Sequence, residues 1–430
     1  MVSFLIKNGS CLFPETSFRQ KTNYTQLSSN RSQHSSNLRN KGINGERDMT
    51  PLSENRTLND TENEVLRICQ DILNVESMGI KDDFFSLGAD SISLVEIQIF
   101  IEQDLGKKID WSDVLRFRNV ESLSAFIDST DRLPPQDKRE IEWRGVKYAF
   151  RVIGDITTDI VPKLIIAGGF QNMYSLPHLE YLLKDDGPLI MLDLPGTGSA
   201  DDVPDNEGFE FLAECVRHIL DVLSLQTVNI VGISYGGGTS LEFAYRWPER
   251  INKAVLIGAA LTQPPHIQDR INTALKFLTE RKYEEFIETI IACLLCLEPG
   301  VDILGRDTTY RLVKTTLMES TLHQGERYEQ LQRRFLNQNK FEIAEGFNKP
   351  ILFATGEHDI ITPPENVKVC ASIFPNAIFT TIKKSDHLVM AERPDVLADL
   401  LIRFFNGKDI TNTDYLNEIE SVTHVSQVEV

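Results

Sequence analysis

Residues 228–238 run Val228-Asn-Ile-Val-Gly232-Ile-Ser234-Tyr-Gly236-Gly237-Gly238. Its first six residues are short and almost wholly apolar, as a strand buried on both faces is. Helical spacing takes over after the glycines, through residues 239–247. Between the two stands Gly-x-Ser-x-Gly, which in a strand-then-helix context predicts a sharp turn with Ser234 at its apex. Such a turn holds the serine in a strained backbone conformation, and Gly232 and Gly236 leave room for the neighbouring chain. The hydroxyl is then presented to a cleft. A serine hydroxyl is a poor nucleophile alone, so a base and an orienting acid are needed from elsewhere in the chain.

Outward from this turn, further apolar runs lie at 164–167, 189–192, 254–257, 351–354 and 378–382, with helical stretches such as 209–223 between them. This alternation predicts an α/β fold, a largely parallel sheet with helices on both faces. Residues 142–150 alternate around Gly145 as a hairpin does. From about 261 to 348 consecutive amphipathic helices interrupt the rhythm, and they read as a helical lid inserted between two strands.

Two loops after later strands offer the missing groups: Thr355-Gly-Glu357-His358-Asp359 after 351–354, and Ser385-Asp386-His387 after 378–382. A glycine-rich loop, Ala167-Gly168-Gly169-Phe170-Gln171, follows 164–167. These four elements stand in the chain order of an α/β hydrolase, which residues 141–407 resemble. The resemblance implies a serine hydrolase, either thioesterase- or esterase-like or an acyltransferase. In it Ser234 is the nucleophile, His387 takes its proton, and Asp359 holds the imidazole in the right tautomer, with Glu357 as the fallback acid. His178, His218, His266, His323 and His358 have bland readings on helices, lid or turns. An oxyanion site would come from the N–H groups of Tyr235 and Phe170. The family often has His-Gly where this chain has Gly168-Gly169. Asp193-Leu-Pro195-Gly196-Thr-Gly198 resembles a turn common in the same superfamily and is read as shaping a tight loop. The glycine-rich loop and the lid stretch Leu322-His-Gln-Gly-Glu-Arg-Tyr-Glu-Gln330 are also similar to 3-(3-hydroxyalkanoyloxy)alkanoate synthases, which join hydroxyacyl thioesters.

Toward the N-terminus the pattern changes. Residues 131–140, with Pro134 and Pro135, read as a linker, and 59–130 as a small all-helical module. One helix carries Val65, Leu66, Ile68, Cys69, Ile72 and Leu73; a second carries Ile92, Leu94, Val95, Ile97, Phe100 and Ile101; a third, capped by Asn119, carries Leu123, Phe126 and Ile127. Before the second helix stands Asp83-Phe84-Phe85-Ser86-Leu87-Gly88-Ala89-Asp90-Ser91-Ile92, which puts Ser91 at a helix start, where backbone N–H groups favour a phosphate. This loop resembles the modification loop of phosphopantetheine-dependent carrier proteins, with the Asp-Ser-Ile form typical of peptidyl carriers. The resemblance implies 4'-phosphopantetheine covalently bound to Ser91, a phosphopantetheinyl transferase as partner, and acyl-loading or synthase enzymes upstream.

Residues 1–58 are rich in Ser, Asn, Gln and Arg and lack periodicity, so a disordered tail is expected, with an organellar address as the minority reading. Residues 408–430 are read as a C-terminal tail. Across all 430 residues, 44 Lys and Arg stand against 63 Asp and Glu, and a net charge of -19 argues against nucleic acid or anionic lipid as a partner. No apolar stretch approaches the roughly 20 residues of a membrane span. Six scattered cysteines are no disulfide framework, which points to a reducing, cytoplasmic setting. Cys293 and Cys296 read as packing, and no metal site is expected. Leu275, Leu278, Phe286 and Ile290 give the lid an apolar face, suggesting a fatty or otherwise apolar acyl group. The whole reads as a carrier/hydrolase didomain of natural-product or lipid biosynthesis, in which the Ser91 arm holds an acyl thioester that the hydrolase releases. The alternatives are transfer joining hydroxyacyl groups, tailoring of carrier-bound substrate, and an inactive hydrolase-fold interaction module.

Overall fold

The computed structural model describes residues 58–75, 77–89, 91–105, 107, 109, 111–128, 138–203, 207–336 and 346–424. The tail expected over 1–58 and the linker expected over 131–140 lie outside these residues except at their last positions. The linker ends sooner than the sequence pattern indicated, because Arg139 and Glu140 already pair in the sheet.

Residues 58–128 form a helical bundle of α1 (Asp60–Leu73), α2 (Ser91–Leu105), α3 (Trp111–Arg116) and α4 (Val120–Asp128). Helix α1 starts with a capping box: Asn59 Oδ1 accepts Glu62 N–H at 2.7 Å while Glu62 Oε2 accepts Asn59 N–H at 3.0 Å. Asn119 Oδ1 accepts Ser122 N–H at 2.9 Å and caps α4. Helix α3 was not expected; its six residues are too few to show a 3.6-residue period. Val65, Ile68, Phe84, Leu94, Ile97, Val114 and Leu123 meet in one core.

The rest of the described chain is built on a nine-stranded sheet. Its strands are β1 (Arg139–Trp143), β2 (Val146–Ile153), β3 (Lys163–Ile166), β4 (Leu189–Asp193), β5 (Val228–Ile233), β6 (Ile251–Ile257), β7 (Ile351–Gly356), β8 (Ala377–Ile382) and β9 (Glu420–Ser421), in the order β1-β2-β4-β3-β5-β6-β7-β8-β9. Strands β3 to β8 are mutually parallel; β1, β2 and β9 pair antiparallel at the two edges. Arg144 and Gly145, both at positive φ, turn the β1–β2 hairpin.

Side chains of β5 leave the sheet alternately. Val228 and Ile230 join a core with α6 (Phe209–Val222), α7 (Tyr235–Arg246) and α11 (Pro364–Ala371), whereas Val231 and Ile233 join a core with α5 (Pro177–Leu183) and α12 (Pro394–Phe405). Two buried faces explain why the strand reads as one apolar run.

Between β6 and β7 the chain leaves the sheet to form α8 (Pro265–Thr279), α9 (Tyr283–Leu294) and α10 (Arg306–Leu336). This insertion has its own core, filled by Ala274, Leu278, Phe286, Ile290, Leu317 and Tyr328. The expected C-terminal tail is instead part of the body as far as residue 424. Strand β9 pairs with β8, Ile410 and Leu416 are buried, and Tyr415 Oη donates to Asp399 Oδ2 at 2.6 Å. Those apolar residues are too widely spaced to show a pattern in the sequence.

Candidate active site

The parallel strands end on one side of the sheet, and the loops leaving those ends build the site. Ser234 follows β5 directly and precedes α7, with φ 49° and ψ -114°. A serine adopts that conformation only where its surroundings impose it. Here a Cβ on Gly236 would come within 2.2 Å of Ile166 O and one on Gly232 within 2.3 Å of Ser240 Oγ, so glycine at both positions lets the turn press against its neighbours.

His387, on the loop after β8, places Nε2 2.8 Å from Ser234 Oγ and Nδ1 2.9 Å from Asp359 Oδ2. A carboxylate only accepts, so Nδ1 carries the proton and Nε2 is left to receive that of Ser234. Asp359 is fixed by four other donors: Ile361 N–H (3.0 Å) and Thr362 N–H (2.8 Å) to Oδ1, and Thr362 Oγ1–H (2.7 Å) and the Thr355 hydroxyl to Oδ2. Both members of the pair are buried. Burial alone would raise the Asp359 carboxyl, but the charge and hydrogen bond of His387, with the bonds from Thr355 and Thr362, hold it below the ordinary carboxylate range. Burial alone would lower the His387 imidazole, and the facing Asp359 charge and hydrogen bond outweigh it, so His387 sits above its ordinary value. Glu357 turns elsewhere, accepting Lys384 N–H at 2.6 Å and Asn417 Nδ2–H at 3.0 Å.

Gly169, Phe170, Tyr235, Leu294, Leu331 and Ile361 line the cavity at Ser234. Phe170, at φ 66°, lies on the loop after β3, while Tyr235 opens α7 so that its N–H is at a helix N-terminus. Gly168 N–H donates to Gln171 Oε1 at 2.8 Å, which shapes this loop. Asp193 anchors it from beneath: Oδ1 accepts Met173 N–H at 2.7 Å, and Oδ2 accepts Ser199 N–H at 2.8 Å. The loop-shaping role read for Asp193 thus extends to two loops at once.

Several contacts were missed by the sequence reading. Arg334 of α10 donates to Tyr235 Oη at 3.1 Å, and Arg327 donates to Gly198 O and Ala200 O at 2.9 and 2.7 Å, tying the lid across the cleft. Asp386 Oδ2 accepts Cys296 N–H at 2.8 Å, joining the lid to the loop that carries His387. No sequence pattern marks these residues, because each contact links segments far apart in the chain. The lid residues expected at the cleft pack elsewhere: Leu278, Phe286 and Ile290 fill the lid's own core and Leu275 is also buried, leaving Leu294 and Leu331 to face the cavity.

In the bundle, Ser91 is the first residue of the 15-residue α2. Asp90 and the Ser91 side chain lie outside the described atoms. Gly88, just before, has φ 96° and open space where a Cβ would project. A helix N-terminus beside that loop suits a phosphodiester. Residues 63–127 match the family model for the phosphopantetheine attachment site, and residues 164–289 that for the alpha/beta hydrolase fold. The chain joins a phosphopantetheine carrier domain to an α/β-hydrolase domain. Such a carrier is where 4'-phosphopantetheine is covalently attached, which implies a phosphopantetheinyl transferase as partner.

The hydrolase domain is 26% identical over 246 residues to the poly(3-hydroxyalkanoate) depolymerase of Ectopseudomonas oleovorans, covering 57% of this chain and 84% of that one. It is also 26% identical over 258 residues to a 2-hydroxy-6-oxononadienedioate/2-hydroxy-6-oxononatrienedioate hydrolase of Comamonas testosteroni, covering 56% and 84%. Among solved structures, an alpha/beta hydrolase enzyme from a Medee basin deep-sea metagenome library superposes with TM-score 0.56 at 18% identity, over 64% of this chain and all of that one. The enol-lactonase from Burkholderia xenovorans gives 0.54 at 16%, over 62% and 100%. Hydrolases with varied substrates thus share this fold. Among the described residues no helix is long and apolar enough to cross a membrane.

Proposed function

We propose that the hydrolase domain discharges acyl groups carried as thioesters on the Ser91 arm of its own chain, with water as the usual acceptor. The observation that carries this reading is the unbroken chain Ser234 Oγ, His387 Nε2, His387 Nδ1, Asp359 Oδ2 in a chain that also holds an attachment domain for acyl thioesters. When bound at Ser91, 4'-phosphopantetheine supplies a thiol on which acyl groups travel as thioesters.

Ser234 Oγ attacks the acyl carbonyl carbon as His387 Nε2 takes the hydroxyl proton. The N–H groups of Tyr235 and Phe170 receive the negative charge that develops on the carbonyl oxygen. His387 returns its proton to the sulfur as the carbon–sulfur bond breaks, leaving the acyl group on Ser234 as an ester. His387 then deprotonates a water, whose oxygen attacks that ester, and the proton goes back to Ser234 as free acid departs. Asp359 stays ionised throughout and holds the imidazolium that forms twice per cycle.

The apolar lining from Leu294, Leu331, Ile361 and Phe170 fits an apolar acyl chain and also supports a second acceptor, since a dry cleft favours a bound alcohol over water. The relative named as a poly(3-hydroxyalkanoate) depolymerase puts 3-hydroxyacyl groups on the panel to be tested. Loading the arm with octanoyl and 3-hydroxydecanoyl groups and identifying the products separates the outcomes. Free acid supports hydrolysis, an ester dimer supports transfer, and a shortened group still on the arm supports tailoring. Thioesters that persist equally in wild type and Ser234→Ala would contradict all three.

A further inference from the structure

Phe84 and Phe85 are neighbours in the loop before Ser91, yet they are buried to different extents. Phe84 is fully buried in the carrier core, whereas Phe85 is half-buried at the margin of that core and stacks on Tyr181 of α5, in the hydrolase domain. The ring centroids are 5.1 Å apart and the planes 17° from parallel. The Arg118 guanidinium completes the cluster, 4.8 Å from the Phe85 centroid and 4.9 Å from that of Tyr181. Asp83 holds that guanidinium at 2.8 Å, and its carboxylate also accepts Phe85 N–H at 2.9 Å and Ser86 N–H at 3.1 Å. The loop leading to Ser91 and the arginine that meets Tyr181 are therefore one bonded unit. Beside the cluster α3 lies against α5, and α2, the helix that Ser91 opens, lies against the lid helix α10.

We propose that Phe85, Arg118 and Tyr181 form the dock through which the hydrolase receives the arm of its own carrier, a step that rests on the discharge reaction proposed above. Two rings and a guanidinium make a contact that forms and releases readily. A modest contact suffices, because tethering the domains in one chain sets a local concentration of about millimolar. The dock selects the carrier protein and not the acyl group, since none of its three residues lines the cavity at Ser234. Removing it should slow delivery without touching the chemistry.

Hydrogen exchange on the full-length apo-protein reads the dock directly. Tyr181→Ala should speed exchange of amides 84–88 about tenfold and leave the central strands unchanged, and Tyr181→Phe, which keeps the ring, should preserve the protection. In a single turnover with an octanoyl group on Ser91, Tyr181→Ala should slow discharge about tenfold while hydrolysing octanoyl-N-acetylcysteamine, which needs no carrier, at the wild-type rate. Exchange and arm discharge both unaltered in Tyr181→Ala would overturn the dock. Equal loss with both thioesters would overturn it too, by assigning Tyr181 to the cleft. If the wild type turns over neither thioester, the proposed reaction fails, and the exchange result alone decides the dock.

Discussion

Ser234 occupies a backbone conformation that costs of order 1–3 kcal/mol, and three neighbouring contacts hold it there: the Ser234 N–H donates to Ile257 O at 2.8 Å, Gly236 lies against β3, and Gly232 lies against Ser240. In the proposed reaction its hydroxyl acts through His387, and His387 through Asp359. Ser234→Ala and His387→Ala should each lower turnover of an acyl thioester by about a thousandfold or more, and the double variant should lose little beyond either single one. Additive losses would show that the two act separately. The pH dependence follows from the same pair. His387 works as a base only when neutral and holds its proton above its ordinary value, so the acid limb of kcat/KM should have its midpoint above about 6.5. Asp359→Asn removes the charge that raises it and should move the midpoint down while cutting the rate. The stability signs run in opposite senses: the share from Asp359 is lost as pH falls through its lowered value, and the share from His387 is lost as pH rises through its raised one. Thermal unfolding across pH should therefore show a plateau between the two in the wild type that is diminished in His387→Ala.

At the scale of elements, β5, β7 and β8 each end in a segment that carries one member of the hydrogen-bonded set Ser234, Asp359 and His387. Those residues were legible as candidates in the sequence because a strand buried on both faces leaves an apolar run, and the segment past the end of such a run is where a site is looked for. The lid was legible only as a break in that rhythm. Which lid residues face the cleft was not, since Leu278 and Leu294 look alike in an amphipathic pattern, and only the packing of α9 against α8 and α10 separates them. The same holds for Arg334 on Tyr235 and Cys296 on Asp386, contacts across 99 and 90 residues of sequence. Helix α3 and strand β9 escaped notice because six and two residues are too few for a period. The tight seat of α7 on β3 carries its own expectation. Gly236→Ala would press a methyl against Ile166 O and Ala167 O, so it should lower stability by about 1–3 kcal/mol and displace the Phe170 loop. Thermal unfolding and fluorophosphonate labelling of Ser234 check both; wild-type values in each would mean that the turn has slack that its geometry does not show.

For the molecule as a whole, the proposed reaction joins the arm of one domain to the cleft of the other. The bundle has its own core, built from apolar side chains, and Ser91 begins a helix, so Ser91→Ala should fold normally yet take up no phosphopantetheine from coenzyme A and a phosphopantetheinyl transferase. Intact mass before and after the transfer reaction reads this, and a wild type that also gains no mass would remove the carrier from the account. Octanoyl-phosphopantetheine is installed on Ser91 of the wild type and of Ser234→Ala, and the mass of the intact protein is followed over a single turnover. The wild type should lose the octanoyl group and return to the bare arm, passing through a Ser234 ester, while Ser234→Ala should keep its thioester for at least about a thousand times longer. Loss of the octanoyl group at equal rates from the two proteins would contradict the claim that Ser234 discharges the arm.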